Sequence, residues 1–267
     1  MSLDRLALDL ANPDAIRKAV RDSRPALIVN AAAYTAVDRA ESEPELAMAI
    51  NGIAPGVLAE EAQRLNALLL HYSTDYVFDG TKTQPYIESD TPNPLNVYGK
   101  TKLAGEQAIQ AVGAAHYILR TSWVYAAEGA NFLNTMLRLA HERPELRIVD
   151  DQTGAPTWAH AIADMTAQML LVRSRGDSAP RSGLYHLTAT GAVTWFGFAK
   201  AILAHAEDML DIPAPRLHPI ATADYPLPAR RPVNSILDTA LVSKAFGIQP
   251  ASWQDMLAQC MQEKLPG

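Results

Sequence analysis

The stretch Ala67-Leu68-Leu69-Leu70-His71-Tyr72-Ser73-Thr74-Asp75 decides the fold of this chain. It runs from apolar residues into aromatic, hydroxyl and carboxylate residues without a Gly or Pro. Such a run is typical of a strand that helices cover on both faces of a parallel sheet. Ligands of parallel sheets bind beyond the carboxyl ends of the strands. We therefore expect Thr74 and Asp75 to lie where chemistry takes place.

Strand patterns alternate with helical patterns on both sides of this stretch. A helix is predicted to begin after Asn12, a preferred N-cap residue, with Pro13 in the first helical position. The other predicted elements of this half are strands at Leu6–Leu10, Ala26–Asn30 (a buried strand), Ala67–Ser73 and His116–Ser122, and helices at Leu46–Leu65, Leu95–Val112 and Phe132–His141. The alternation predicts an α/β protein with a Rossmann-like, doubly wound parallel sheet.

The alternation loosens after about residue 145. The predicted elements there are short strands at Leu146–Val149 and Leu184–Leu187, and helices at Ala159–Val172, Trp195–Met209 and Ser252–Lys264. The segment Asp211–Pro232 contains six prolines and is predicted to be an irregular connection that covers a substrate site. We expect a dinucleotide-binding domain over residues 1–145 and mainly a substrate-binding domain over 146–267, with some segments returning to the first domain.

The composition excludes several classes of protein. The chain has 267 residues, a net charge of −6 and a pI of about 5.6, so no general attraction to nucleic acid or membranes is expected. A single cysteine, Cys260, excludes an internal disulfide and a cysteine metal cluster. The seven histidines show no H-E-x-x-H spacing, so no metal site is predicted. Because neither a signal peptide nor a long apolar run is present, we expect a cytoplasmic protein.

One motif of nucleotide-binding folds is missing. Doubly wound folds open with a strand, a Gly-rich turn and a helix that holds the pyrophosphate. Neither G-x-G-x-x-G nor G-x-x-G-x-x-G occurs in the sequence. Our hypothesis is that the chain begins inside a nucleotide-binding domain, after its first βα unit. The alternative is that the natural protein starts at Met1.

The stretch Tyr98-Gly99-Lys100-Thr101-Lys102 carries the strongest chemical motif. Residues at positions i and i+4 share one face of a helix, so the phenol of Tyr98 and the ammonium of Lys102 are expected to be neighbours. A nearby ammonium favours the phenolate and lowers the pKa of a tyrosine. Tyr98 is therefore a candidate proton donor and acceptor. On spacing alone, a solvated tyrosine beside a surface lysine is an equally simple interpretation.

Two other segments are predicted to converge on this motif. Asn30-Ala31-Ala32-Ala33-Tyr34-Thr35 ends a strand with small residues, which let a flat cofactor approach the backbone. Arg120-Thr121-Ser122-Trp123-Val124-Tyr125 ends another strand. Because the carboxyl ends of parallel strands meet at one edge of the sheet, these segments, Thr74 and Tyr98 are expected to form one site.

Taken together, the chain resembles the short-chain dehydrogenase/reductases of the extended type, and within them the dTDP-4-dehydrorhamnose reductase family. The resemblance extends over essentially the whole chain and follows the family's order. It is carried by the segments Val29–Glu43 (VNAAAYTAVDRAESE), His71–Phe78 (HYSTDYVF), Pro94–Glu106 (PLNVYGKTKLAGE), Arg120–Tyr125 (RTSWVY), Asp151–Thr157 (DQTGAPT) and Ala229–Leu237 (ARRPVNSIL).

The resemblance implies a reduction by NADPH or NADH. Tyr98 would protonate the C4 oxygen of dTDP-4-dehydro-L-rhamnose while hydride is delivered to C4. Lys102 would lower the pKa of Tyr98 and bind the nicotinamide ribose, and Thr74 would hydrogen-bond the C4 carbonyl. The residues implied to bind the cofactor are Asp9, Leu10, Ala33, Tyr34, Thr35, Tyr98 and Lys102.

The resemblance also implies substrate contacts. Asp75 would contact the sugar and Trp123 would pack on the hexose. Arg230 and Arg231 form a basic pair in an acidic chain and suit a diphosphate, because guanidinium groups make charge-assisted hydrogen bonds to phosphate. The dTDP-sugar is the implied partner, and a homodimer and the Mg²⁺ that some relatives use at a dimer contact remain open.

Each of these residues also has a purely structural interpretation. The Thr74 hydroxyl would bind the backbone at a strand end, Asp75 would cap a loop and Trp123 would fill the core. Arg230 and Arg231 would pair with carboxylates, and Asp9 would cap the turn that follows it.

Dehydration and epimerisation are the reactions of related enzymes that compete with simple reduction. Sugar-nucleotide dehydratases carry an Asp-Glu pair after the strand-end threonine, whereas Asp75-Tyr76 follows Thr74 here, which disfavours dehydration. The spacing does not distinguish a reductase from an epimerase of the same group. A non-catalytic binding or regulatory subunit of this fold, like the regulatory subunit of methionine adenosyltransferase, is the alternative from another class. The presence of Thr74, Tyr98 and Lys102 favours an enzyme.

Overall fold

A computed structural model describes residues 1–174, 180, 182–210 and 215–264 of the chain. Its main sheet has four parallel strands in the order β1-β2-β3-β8. The strands of the structure are β1 (Leu27–Asn30), β2 (Leu68–Thr74), β3 (His116–Thr121), β4 (Val124–Tyr125), β5 (Glu145–Val149), β6 (Thr153–Gly154), β7 (Thr157–Trp158), β8 (Gly183–His186), β9 (Val193–Thr194) and β10 (Arg216–Ile220).

Helices connect these strands and cover the main sheet. The α-helices are α1 (Pro13–Ser23), α2 (Val37–Ala40), α3 (Pro44–Met48), α4 (Ala54–Leu65), α5 (Val97–Val112), α6 (Phe132–Glu142), α7 (Ala159–Arg173), α8 (Trp195–Leu210), α9 (Ala240–Phe246) and α10 (Trp253–Glu263). A π-helical turn over Ala49–Ile53 joins α3 to α4. None of the helices within the described residues is long and apolar enough to cross a membrane.

The two faces of the main sheet belong to two hydrophobic clusters. On one face, Leu69 of β2 and Ile118 of β3 pack with residues of α1 and α4. On the other face, Leu70 and Leu119 belong to a larger cluster that includes residues of α6, α7, α8 and α10. Successive side chains of a strand point to opposite faces. The continuous apolar run in β2 is thus explained by burial on both sides, which confirms the predicted doubly wound sheet.

Strand pairing brings the carboxyl ends of the central strands together. Thr74 at the end of β2 is paired with Thr121 at the end of β3, and Asn30 at the end of β1 is paired with His71. The strand β8 lies beside β3, so a segment from the second half of the sequence completes the main sheet. Because of this register, residues that follow β2 and β3 meet at one edge.

Three two-stranded sheets lie outside the main sheet: β5 with β10, β4 with β7, and β6 with β9. The proline-rich segment Asp211–Pro232 was predicted to be irregular, which is wrong for β10, because β10 pairs with β5 over five residue pairs. Pro219 is tolerated there because a proline in an edge strand does not interrupt a ladder. The first residues of that segment, 211–214, lie outside the described residues.

Most predicted elements are confirmed within a few residues, with two corrections near the N-terminus. Leu6–Leu10 is not a strand but a turn, because Asp4 accepts hydrogen bonds from the backbone N–H groups of Leu6 and Ala7, at 3.0 and 2.9 Å. The strand predicted at Ala26–Asn30 is present as β1, but it is not buried along its length, since Val29 is 47% exposed. The division at residue 145 stays a prediction.

Candidate active site

Tyr98 is held at the start of α5 by the cap of that helix. The side chain of Asn96 accepts a hydrogen bond from the Gly99 N–H at 2.8 Å and donates one to the Arg230 carbonyl, also at 2.8 Å. A Cβ atom at position 99 would collide with the Tyr76 carbonyl, so only glycine allows this close approach of α5 to the turn after β2. The ring of Tyr98 meets that of Tyr76 edge to face, with 5.8 Å between centroids.

The hydroxyl of Thr74 lies at the carboxyl end of β2 and forms a hydrogen bond with Tyr98. The sequence predicted that these two residues belong to one site. Burial raises the pKa of Tyr98 to about 12, and the hydrogen bond with Thr74 only partly opposes this effect. The expected lowering of this pKa by Lys102 is therefore wrong. Tyr98 is a fully protonated phenol at neutral pH.

The ammonium group of Lys102 points toward β2. Its Nζ donates to the Tyr72 carbonyl at 2.6 Å and lies 3.2 Å from Nε2 of His71. Lys102 is 2% exposed. Burial lowers its pKa to about 8, against the opposing effect of the Glu106 carboxylate. Lys102 thus shares one helix face with Tyr98, and its charge is held by acceptors on the sheet.

Asp75 is a buried carboxylate surrounded by hydroxyl groups. Ser122 donates to Oδ2 at 2.9 Å and Thr74 donates to Oδ1 at 3.0 Å, and Ser235 also binds this side chain. Burial raises the pKa of Asp75 to about 6, although the three hydroxyl groups act in the other direction. A carboxyl group with this pKa changes its charge close to neutral pH.

Trp123 follows β3 in a left-handed backbone conformation with φ of 47°. Its indole is stacked on that of Trp195 at the start of α8, with 3.5 Å between ring centroids. Gly154 lies against the same indole, where a Cβ would collide with the ring. Trp123 is half-buried, so the interpretation as a fully buried core residue does not hold.

The two arginines have different surroundings. Arg231 makes hydrogen bonds of 2.9 and 2.7 Å to the two carboxylate oxygens of Asp38, which is the carboxylate pairing that the sequence left open. Arg230 is exposed, and its carbonyl receives the Asn96 side chain. The structure therefore brings both arginines beside the first turn of α5.

The predicted cofactor residues near the N-terminus line one cavity of about 1060 Å³. Its wall includes Asp9, Leu10, Ala33, Tyr34 and Thr35. Asp9 also caps the next turn by accepting a hydrogen bond from the Ala11 N–H at 2.9 Å. Tyr98 and Lys102 are not among the described residues that line this cavity, so the predicted cofactor residues form two groups, one at the cavity and one on α5.

Sequence reasoning missed several residues that hold the site. Asn51, in the π-helical turn, accepts from the Tyr34 N–H at 2.8 Å and donates to the Thr101 hydroxyl at 3.2 Å. Ser122 and Ser235 bind Asp75. Ser122 lies within the quoted Arg120–Tyr125 segment and Ser235 within the quoted Ala229–Leu237 segment, but neither was singled out, and nothing in the sequence indicates that Asn51 reaches the site.

The main sheet is parallel and covered by helices, with Thr74 at the carboxyl end of β2 and with Tyr98 and Lys102 on the neighbouring helix α5. This arrangement defines the class, which is the NAD(P)-dependent oxidoreductases of the short-chain dehydrogenase/reductase type. Comparison with known proteins narrows this class. The chain belongs to the RmlD substrate binding domain family, whose model matches residues 1–265. The resemblance inferred from the sequence is confirmed.

Relatives of this family are similar over nearly the whole chain. The dTDP-4-dehydrorhamnose reductase of Burkholderia thailandensis is 48% identical, with 98% of this chain and 90% of the relative covered. That of Escherichia coli K12 is 47% identical, with 96% and 85% covered. The crystal structure of the Bacillus anthracis dTDP-4-dehydrorhamnose reductase in complex with NADP is similar with a TM-score of 0.89 and 37% identity, covering 98% of this chain and 89% of that one.

Proposed function

We propose that this protein reduces the C4 keto group of dTDP-4-dehydro-L-rhamnose to give dTDP-L-rhamnose with NADPH or NADH. The observation that carries the proposal is the pair of hydrogen-bonded hydroxyls of Thr74 and Tyr98, with Lys102 one turn further along α5. The relatives with 48% and 47% identity are reductases of this name, and the Bacillus anthracis relative binds NADP.

The cavity beside β1 has one feature that supports dinucleotide binding. Ala31, Ala32 and Ala33 give this part of the wall small side chains, so a flat ring can approach the backbone. Asp9, Leu10, Ala33, Tyr34 and Thr35 would hold the cofactor there, and Lys102 would bind its nicotinamide ribose. When bound, the reduced cofactor supplies the hydride that C4 receives.

The proton for the C4 oxygen comes from Tyr98. Its raised pKa keeps the phenol protonated at neutral pH, so it acts as an acid, and the hydroxyl of Thr74 orients it by a hydrogen bond. Reduction converts the carbonyl to an alcohol by adding hydride to carbon and the phenolic proton to oxygen.

Substrate binding is assigned to residues around this pair. Asp75 would accept a hydrogen bond from a sugar hydroxyl, and the half-buried Trp123 indole would pack on the hexose. The exposed Arg230 is the better candidate for the diphosphate, because Arg231 already pairs with Asp38. A cytoplasmic location, a homodimer and Mg²⁺ binding stay predictions.

The test combines binding with turnover. NADPH is titrated while the fluorescence of the four tryptophans is followed, and turnover is then assayed with dTDP-4-dehydro-L-rhamnose. Tyr98→Phe is expected to bind NADPH normally and to lose turnover by about two to four orders of magnitude. Tyr117→Phe is the control, because it removes a hydroxyl that binds the Pro180 carbonyl at 2.9 Å. Normal turnover in Tyr98→Phe contradicts the assignment of the acid.

A further inference from the structure

His71 joins two polar side chains of the site through the opposite nitrogens of its ring. Nε2 faces the Lys102 Nζ at 3.2 Å, and Nδ1 faces the side-chain amide nitrogen Nδ2 of Asn30 at 3.0 Å. Asn30 and His71 are partners in the β1–β2 pairing, so the sheet fixes their separation. Asn30 also lines the cavity assigned to the cofactor. The three side chains therefore run from that cavity to the helix of Tyr98.

This connection is buried and its imidazole is neutral. Asn30, His71 and Lys102 are 6%, 1% and 2% exposed. Burial holds the pKa of His71 well below its ordinary value, and the charge of Lys102 acts in the same direction. Water cannot replace a lost partner at low cost in such a site. The position of the imidazole hydrogen of His71 consequently decides which charge state of Lys102 the site can hold.

A neutral imidazole carries one N–H, and this couples the three groups. An ammonium group only donates, so a charged Lys102 requires Nε2 as an acceptor and the hydrogen on Nδ1. The Asn30 amide must then present its oxygen to that N–H. With the amide nitrogen facing Nδ1, as in the structure, the imidazole hydrogen lies on Nε2 and points at a lysine nitrogen that has to be the neutral amine. Turning the amide by half a rotation about its last side-chain bond exchanges the two arrangements.

We propose that His71 is a positioning residue that couples the side-chain amide of Asn30 to the charge state of Lys102, and that the charged lysine requires the Nδ1–H form of His71. The proposal rests on the proposed function, which assigns Lys102 to the nicotinamide ribose. A ligand in the cavity that changes the orientation of the Asn30 amide would therefore change the charge state of Lys102.

Other charged groups around Lys102 are balanced among themselves. Glu106 lies one turn further along α5, but Arg120 of β3 binds its carboxylate at 2.6 and 2.9 Å. The Ser73 hydroxyl also donates to Glu106. Asp75 and Tyr98 lie toward the end of β2, and Asp75 acts on Tyr98. On β2, Lys102 contacts the Tyr72 carbonyl and the His71 imidazole. The carbonyl belongs to the backbone and is kept in any side-chain substitution, so His71 is the contact that a substitution can remove.

Three substitutions of His71 separate its two hydrogen bonds. The amide of glutamine reaches the place of Nε2, so His71→Gln keeps an acceptor for Lys102 and loses Asn30. The shorter amide of asparagine reaches only the place of Nδ1, so His71→Asn keeps Asn30 and loses Lys102. His71→Phe loses both contacts. A role in packing alone predicts the same behaviour for the two amides.

The first measurement is an NMR titration of the Lys102 ε-carbon, assigned with Lys102→Arg. Removing the acceptor from a buried ammonium is expected to lower the pKa of Lys102 from about 8 by about one unit in His71→Asn and His71→Phe, and much less in His71→Gln. The high-pH limb of kcat is expected to move by the same amount. An equal pKa of Lys102 in His71→Gln and His71→Asn would overturn the proposal. This comparison does not depend on His71→Phe and can be made even if that variant does not fold.

The second measurement is the imidazole nitrogen spectrum of isotope-labelled histidine. We expect the Nδ1–H form for His71 at neutral pH and its partial conversion to the Nε2–H form in Asn30→Ala, which removes the acceptor at Nδ1, or in Lys102→Met, which removes the donor at Nε2. A spectrum that stays the same in both variants contradicts the coupling. His186→Gln is the matched control, because His186 is also buried and neutral but faces the Asp238 carbonyl.

These NMR readouts are independent of the reaction. A coupled tautomer and lysine pKa in a protein without turnover would leave this inference standing and refute the proposed reductase activity. Normal turnover in a protein whose Lys102 pKa does not depend on His71 would support the proposed reductase activity and refute this inference.

Discussion

Asp38 and Arg231 lie 193 residues apart in the sequence, yet two hydrogen bonds of 2.9 and 2.7 Å join their carboxylate and guanidinium groups. The backbone N–H of Ala229 donates to the same carboxylate at 3.1 Å. On the other side, the Arg230 carbonyl receives the side chain of Asn96, which caps α5. The segment 229–231 is thus fixed between α2 and the helix that carries Tyr98.

Replacing Arg231 by lysine is expected to loosen this segment. Lysine cannot form the two parallel hydrogen bonds of a guanidinium, and the Asp38 side chain is 36% exposed, so the free energy of unfolding should fall by only about 1 kcal/mol. Hydrogen exchange in residues 229–235 should increase. Arg138→Lys is the control, since its pair with Glu142 is exposed. Unchanged exchange would show that the ion pair does not fix the segment.

The buried pair of Glu106 and Arg120 should matter much more for stability. Their side chains are 2% and 3% exposed, and Glu106 also accepts from the Ser73 hydroxyl. Glu106→Gln leaves a buried guanidinium without its counter-charge, which typically costs about 3–5 kcal/mol. Urea unfolding measures this loss.

A matched control for this prediction is Glu61→Gln. Glu61 is equally buried, but its partner Arg21 is 49% exposed and can turn to water. We expect a loss of about 1 kcal/mol there. Equal losses in the two variants would contradict the role assigned to burial of the guanidinium.

Hydrophobic pattern predicted the central strands well because burial on both faces leaves a continuous apolar run, as in β2. The same reasoning failed at Leu6–Leu10, where the Asp4 carboxylate binds two backbone N–H groups and stabilises a turn. It also failed at β10, where prolines argued against a strand that lies in a two-stranded sheet. At Leu6–Leu10 local hydrogen bonds outweighed the hydrophobic pattern, and at β10 the position in a two-stranded sheet allowed a strand that contains a proline.

For the site, the sequence predicted that Thr74 and Tyr98 meet, but not their electrostatics, nor that the predicted cofactor residues fall into two groups. The spacing of Tyr98 and Lys102 places both on one face of α5. Whether the ammonium lowers the phenol pKa depends on burial and on acceptors such as His71 and the Tyr72 carbonyl, which belong to another strand. Such groups come together only through the β1–β2–α5 packing, so no motif reveals them.

Gly99→Ala is expected to reduce turnover more than stability. The added Cβ would collide with the Tyr76 carbonyl, so the first turn of α5 must move and carry Tyr98 away from Thr74. We expect kcat to fall by about a hundredfold while the protein stays folded by circular dichroism. Lys100→Ala is the control in the same turn, because Lys100 is exposed. A kcat equal to that of the control would show that the turn adapts without moving Tyr98.

Asp75 and Asp79 should give stability effects of opposite sign on mutation to asparagine. Burial raises the pKa of Asp75 from 3.8 to about 6, so its contribution to stability is fully present below pH 3.8 and is lost as the pH rises through about 6. Hydrogen bonds from Thr81 and Asn93 lower the pKa of Asp79 to about 2, so its contribution is present above 3.8 and is lost as the pH falls through about 2. Urea unfolding at about pH 4 and about pH 7.5 should therefore show Asp75→Asn gaining stability relative to wild type as the pH rises, by up to about 3 kcal/mol. Asp79→Asn should lose stability relative to wild type as the pH rises from about 2 to about 4, and it should change little above that range. Parallel pH dependence in wild type and Asp75→Asn would mean that this carboxyl group titrates normally and that the hydroxyl groups around it offset its burial.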